Sequence, residues 1–371
     1  MEIYLTENCS INTLANHFQL PVELILQSNP LVNSLNLEEG STLHIPGWRI
    51  DGTDSFESIR FDYPYDLKKA KLMETPLIHP KVEYDFDALQ RDLQLLEGNF
   101  PFIRKKEIGK SVLGLPIYEL IIGNGPKKVH MNGAFHANEW ITTAVMMNWL
   151  EDYLMMIVKG DVFNGREVRK LYEEVTLSFV PMVNPDGVNL VLCPSRIPED
   201  VLQSVIVLND DKEDFSQWKA NIRGVDLNNQ YPAFWEIEKE RKIPKSPAPR
   251  DFPGNAPLTE PEAMAMAILV EESNFDCVAA FHTQGEEIYW GYLNYEPKRA
   301  AKMVNEFKRL SGYKPVRNID SHAGFRDWFV YKNRKPGFTV ELGRGVNPLP
   351  LSQYDEIYEK SHGIFWSLLY M

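Results

Sequence analysis

From about residue 82 onward, short apolar runs alternate with stretches whose apolar positions recur at helical spacing. Residues 117–122, 128–135, 176–183, 277–281 and 337–342 read as strands. Residues 84–96, 139–157 and the terminus from Leu351 read as helices. Thr259-Glu260-Pro261-Glu262 has the form of a capping box opening a further helix that runs to Glu272. Alternation of this kind predicts an α/β domain with a mixed, mostly parallel central sheet flanked by helices. Ligands in such sheets gather outside the carboxyl ends of the strands, and His136, Asn184, His282 and Glu341 all fall at or just after a strand end.

The first fifty residues follow a different pattern. Ile3 to Thr6 is strand-like, and Ile11, Leu14, Ala15 and Phe18 lie on one helical face. Pro21 stands at a helix entry, and Val22, Ile25 and Leu26 continue on one face until Asn29-Pro30 stops the run. A turn at Gly40 then leads into Leu43-His44-Ile45 before Pro46-Gly47. The order strand, helix, helix, strand describes a small α+β unit. Its Leu14-Ala15-x-x-Phe18, Leu26-x-x-Asn29 and Gly40-x-x-Leu43-x-Ile45-Pro46 marks resemble a single LysM module, which implies binding of N-acetylglucosamine-containing glycan such as peptidoglycan. Residues 51–81 are polar, contain prolines and read as a linker, so the expected division is 1–50, 51–81 and 82–371.

Composition narrows the function classes. Hydrophobic residues make up 44% and charged residues 25%, as in ordinary globular chains. A net charge of −13 argues against a nucleic-acid surface. The three cysteines, Cys9, Cys193 and Cys277, are scattered and form neither a disulfide framework nor a thiolate zinc pattern. The longest apolar stretch, 144–158, is broken by Asn148, Glu151 and Asp152, so no membrane span is expected. The first residues carry no basic and apolar leader pattern, so the expected compartment is the cytoplasm. Wall-directed chemistry would then fit a sporulating cell, or action on wall material after release.

The chemistry is concentrated at the strand ends. His136-Ala137-Asn138-Glu139-Trp140 follows one apolar run and His282 ends another. Two imidazoles and one carboxylate are the ligand set of a catalytic zinc with its fourth position open, one ion per chain. Glu341 is a carboxylate within the otherwise apolar Phe338-Thr339-Val340-Glu341-Leu342, a costly placement unless it is paired or functional. Asp226, within Gly224-Val225-Asp226-Leu227-Asn228, is suited to the far nitrogen of a zinc-bound histidine.

These motifs, together with Asn184-Pro185-Asp186-Gly187, stand in the order seen in zinc carboxypeptidases of the carboxypeptidase A superfamily, and the resemblance spans roughly residues 82–371. It implies His136, Glu139 and His282 as metal ligands, Glu341 as general base and then general acid, Asp226 as the partner of His136, and Asn228 as a substrate-binding donor. Lys219 or Arg223 would stabilise the oxyanion. The departures concern substrate. Asn229 stands where the family carries the arginine that holds a C-terminal carboxylate. His322 is the candidate for the place of the family's closing tyrosine. Arg326, in the region that sets side-chain specificity, suits a substrate carboxylate or else pairs with Asp327. With a LysM-like start, the chain resembles bacterial γ-D-glutamyl-L-diamino acid endopeptidases. Peptidoglycan stem peptides are then the expected substrates, and trimming of ordinary peptide C-termini is the alternative.

Overall fold

The computed structural model describes residues 1–50, 58–61 and 70–371. The expected linker therefore falls partly on residues 51–57 and 62–69, outside the described residues. The chain forms two compact units. One comprises Met1–His79, Gln90–Arg104 and Leu150–Tyr172, and the other Pro80–Leu89, Lys105–Trp149 and Glu173–Met371.

In the first unit, strands Glu2–Leu5 and Thr42–His44 pair antiparallel around helices Ile11–Phe18 and Val22–Gln27. Ser58–Phe61 runs parallel to the first strand. The short Cys9–Ser10 and Asn36–Leu37 strands have no sequence signal of their own. Ser10 caps the first helix by accepting the Thr13 N–H at 3.1 Å, and Gln19 ends it in the left-handed region. Ile3, Leu5, Ile11, Leu14, Phe18, Ile25 and Leu43 are buried, as the helical and strand spacing predicts, whereas in the second helix Leu24 is buried and Val22 and Leu26 are only half-buried. Asn29 ties the layers together. Its Nδ2 donates to the Ile25 and His44 carbonyls, both at 2.8 Å, and its Oδ1 accepts the His44 N–H at 2.7 Å.

The second unit is built on an eight-stranded sheet. In spatial order its strands are Lys314–Arg317, Glu287–Trp290, Gly337–Leu342, Cys277–Thr283, Lys127–Gly133, Val175–Val180, Pro116–Ile122 and Arg104–Lys110. The four central strands run parallel, and Glu287–Trp290 and Pro116–Ile122 join them antiparallel, so the sheet is mixed and mostly parallel at its centre. The central strands are covered on both faces and carry almost no exposed side chain, which is why they read as apolar runs. Arg104–Lys110 lies at the edge and is mostly exposed, so its sequence gives no such run.

The 261–273 helix differs from expectation at its start. Its N-cap is Glu260, Pro261 occupies the first turn, and no side chain caps it. Thr259 instead hydrogen-bonds Gln230, and the Glu262 carboxylate leaves the helix to accept the Val112 N–H at 3.2 Å and the Asn221 amide at 3.3 Å. Glu262 is fully buried, and burial together with the nearby Asp186 charge pushes its carboxyl up to about 7.

Two stability predictions follow from these contacts. Asn29→Ala removes three hydrogen bonds and should lower the unfolding free energy by about 2–3 kcal/mol, read from the midpoint of the urea transition of the full chain. Glu262 holds its proton more tightly when folded than when unfolded. Its contribution therefore falls as pH climbs from the ordinary 4.5 through about 7, and the penalty is complete above that. Glu262→Gln should flatten that fall by on the order of 2 kcal/mol between pH 5 and pH 8, measured by unfolding at both pH values.

Candidate metal centre and substrate cleft

The site begins with two parallel neighbours in the sheet. Gly133 pairs with Phe281, and His282 pairs with Glu341 across the next ladder. His136 follows three residues after its strand, at the entry of a short 3-10 turn, Ala137–Glu139, that turns Glu139 back toward it. Asn184 secures this turn from below. Its amide donates to the Phe135 and Ala220 carbonyls, both at 3.1 Å, while its Oδ1 accepts the Gly187 N–H. A Cβ at Gly187 would stand 2.6 Å from the Asn184 side chain, so that position requires glycine.

His136, Glu139 and His282 are buried and converge. His136 Nδ1 lies 2.9 Å from Glu139 Oε1, His282 Nδ1 lies 2.9 Å from Glu139 Oε2, and the two Nδ1 atoms are 3.3 Å apart. Three lone-pair-bearing groups this close repel one another unless a cation or a shared proton lies among them. A tetrahedral ion with bonds of about 2.0–2.1 Å separates its ligand atoms by about 3.3 Å, so the donor set fits zinc. The far nitrogen of His136 lies 3.2 Å from Asp226 Oδ1, which orients the ring. His282 is oriented by stacking on Phe135, with ring centroids 5.9 Å apart and 12° between planes, and its buried Nε2 has no partner among the described residues. The Glu139 carboxylate also accepts the Thr283 N–H at 3.2 Å and the Asn347 amide at 3.3 Å. Asn347 carries no sequence signal; it lies in a loop after the last strand.

Charge is balanced tightly. Burial opposes a proton on His136, but Glu139 and Asp226 outweigh it and hold the ring up at about 9. Desolvation would raise Asp226, yet the His136 and Lys219 charges bring it well below the usual carboxylate range. Desolvation and the Glu139 charge push Glu341 up to about 8. The same excess of negative charge that favours a proton on His136 favours a divalent cation.

Lys219 and Arg223 part company. Lys219 Nζ is 3.3 Å from Glu139 Oε1, and although burial works against its charge, Glu139, Asp226 and Glu341 hold its pKa above the ordinary value. Arg223 is exposed, lies 3.5 Å from Glu260 and lines neither cavity at the site. Of the two residues expected for the oxyanion, the structure brings Lys219 to the centre.

A cavity of about 310 Å³ opens beside His136, Lys219 and Glu341 and is lined by Asn228, Asn229, His322 and Arg326. Asn228 accepts the Phe325 N–H through Oδ1 at 3.1 Å. His322 is held by Tyr292, whose hydroxyl lies 2.7 Å from its Nδ1. Arg326 is 4% exposed and pairs with Asp327 through Nη2, while its Nε and Nη1 have no partner among the described residues. The salt bridge to Asp327 is therefore present, and it leaves two of the guanidinium nitrogens without a partner among the described residues.

A family model for zinc carboxypeptidases matches residues 89–361. The chain belongs to the zinc carboxypeptidase family. Members of this family are zinc-dependent peptidases, and the three converging donors are the candidate zinc ligands here. Among curated members, γ-D-glutamyl-L-diamino acid endopeptidase 1 of Lysinibacillus sphaericus is 42% identical over the full length of both chains. An uncharacterized protein of Bacillus subtilis, YqgT, is 45% identical over 97% of this chain and 96% of its own. Among solved structures, bovine thrombin-activatable fibrinolysis inhibitor, in complex with tick carboxypeptidase inhibitor, superposes with a TM-score of 0.61 at 17% identity, covering 78% of this chain and 97% of its own. Carboxypeptidase A from Helicoverpa armigera superposes at 0.57 and 19% identity, covering 79% and 75%. At these identities the structures establish the shared fold. Among the described residues, no helix is long and apolar enough to cross a membrane.

Asp226→Asn should weaken zinc binding about 10- to 100-fold, because the amide cannot hold the His136 ring as a charge-assisted acceptor does. Competition with a chromophoric chelator measures this without reference to turnover.

Proposed function

We propose that this zinc peptidase hydrolyses the bond between γ-D-glutamate and a diamino acid in peptidoglycan stem peptides. The observation that carries this reading is the 42% identity, over the full length of both chains, to an endopeptidase of that name. The cleft agrees with it. Asn229 has no charge with which to hold a terminal carboxylate, and the cavity beside it offers Arg326 instead.

Arg326 fits the carboxylate of a diaminopimelate side chain. Gly337, Thr339 and Glu341 share one face of their strand, with Gly337 about 13 Å from Glu341 along it. A Cβ at Gly337 would lie 3.3 Å from Arg326 Cγ and 2.9 Å from Val330 Cγ2, so the missing side chain makes room for the arginine stem. A buried guanidinium with two unpartnered nitrogens costs free energy unless an anion completes it. The leaving residue then occupies this cavity, with its distal carboxylate on Arg326 and its backbone near Asn228.

When bound, zinc supplies Lewis acidity that polarises the amide carbonyl and acidifies a water. Glu341 takes the proton from the attacking water and returns it to the leaving amine. Lys219 faces the developing negative charge on the carbonyl oxygen. Asp226 keeps His136 in the ring orientation that directs Nδ1 inward. For the N-terminal residues, we infer a LysM-type glycan-binding module. The strand–helix–helix–strand order and the Asn29 stitch support that reading.

The test is product analysis by mass spectrometry on L-Ala-γ-D-Glu-diaminopimelate and L-Ala-γ-D-Glu-L-Lys. L-Ala-D-Glu and free diamino acid are expected, with faster turnover of the diaminopimelate peptide and a loss of about a thousandfold in kcat for Glu341→Gln. Intact stem peptides alongside release of C-terminal residues from ordinary peptides would select the carboxypeptidase alternative.

A further inference from the structure

A second cavity, of about 320 Å³, lies on the other side of Glu341. It shares Lys219, Tyr289 and Glu341 with the first, so the catalytic carboxylate stands between two chambers of nearly equal size. Their charge differs. The first is lined by several acids as well as bases, whereas in the second Glu341 is the one carboxylate among the described lining residues, set against Lys219 and Arg250 and the amides of Gln217, Gln284 and Asn347.

Arg250 reaches this chamber because residues 248–252 run alongside residues 219–226. The Lys219 and Ala220 N–H groups donate to the Pro249 carbonyl at 2.8 and 3.0 Å, Ala248 donates to Gly224, and Asp226 donates to Phe252 at 2.8 Å. Gly224 has φ of +73°, and a Cβ there would lie 2.9 Å from the Ala248 nitrogen, so the close approach of the two segments depends on it. The segment that carries Arg250 is thereby tied to the backbone that carries Lys219 and Asp226. Arg250 binds Asp251 through Nε at 3.1 Å, and its two terminal nitrogens have no partner among the described residues.

We propose that Arg250, assisted by Lys219, forms a carboxylate receptor on the acyl side of the scissile bond, and that its ligand is the free α-carboxylate of a γ-linked glutamyl residue. This rests on the stem-peptide reading and on placing the leaving residue in the first cavity. In a γ-glutamyl amide the α-carboxylate hangs four bonds from the reacting carbonyl carbon, about 5 Å away. An α-linked peptide of neutral residues places an uncharged peptide unit there. A guanidinium with a free fork beside the oxyanion lysine therefore selects for the isopeptide linkage itself, independently of what Arg326 recognises in the leaving residue.

The test compares kcat/KM for L-Ala-γ-D-Glu-diaminopimelate with that for the same peptide carrying an amidated α-carboxyl (a D-isoglutaminyl residue). The wild-type protein should prefer the free acid by about 10- to 100-fold, Arg250→Gln should bring the ratio near one, and Arg250→Lys should retain part of the preference. An unchanged ratio in Arg250→Gln, with both values lowered or neither, would overturn the proposal, as would a wild-type protein that treats the two peptides alike. Cleavage of neither peptide would overturn the stem-peptide reading, and this proposal with it. A matching urea midpoint for Arg250→Gln, a change at an exposed side chain, verifies that the ratio reports recognition.

Discussion

The approach of two imidazole nitrogens and a carboxylate to within about one ligand–ligand spacing of each other is the constraint on which the rest of the second unit depends. With neither a cation nor a shared proton among them these groups would separate. They are held by parallel pairing of the 127–133 and 277–283 strands, by the 3-10 turn that aims Glu139, and by a layer of neutral and ionic contacts around them. Asn184 braces the turn, Asp226 holds one ring, Phe135 stacks on the other, and Asn347 and the Thr283 N–H position the carboxylate. The excess of negative charge around these groups favours a cation among them, a proton on His136 or a divalent ion.

Much of this was legible in the sequence because fully covered parallel strands must be apolar, and a charged group at the end of such a run has to be accounted for. His136, His282 and Glu341 announce themselves in this way. Edge elements do not: the 104–110 strand is polar because solvent faces it, and the short 287–290 and 314–317 strands beyond the 337–342 strand are half-exposed. The capping-box pattern at Thr259 misled because a four-residue motif says nothing about distant competitors, and Asn221 and Val112 claim the Glu262 side chain.

Among the site residues, those one turn or one ladder step from a motif could be placed in advance, and those brought in by loop packing could not. Lys219 and Arg223 are four residues apart and chemically equivalent on paper. The backbone pairing at Pro249 directs one inward, and Glu260 engages the other outward. Arg250 and Asn347 lie in segments without periodicity, and only the fold brings residues 248–252 and the loop after the last strand to the same cavity as Glu341.

Gly337 sits well below Glu341 on the same strand, and its missing side chain leaves the space that Val330 and the Arg326 stem fill. The strand presents Glu341 near one end and Gly337 at the other, with Arg326, Phe329 and Val330 of the 325–333 helix packed against the glycine. Room for Arg326 and the placement of Glu341 are thus carried by different stretches of the same strand. A side chain at position 337, four residues away from Glu341, would press on the Arg326 stem and so shift the guanidinium that borders the first cavity.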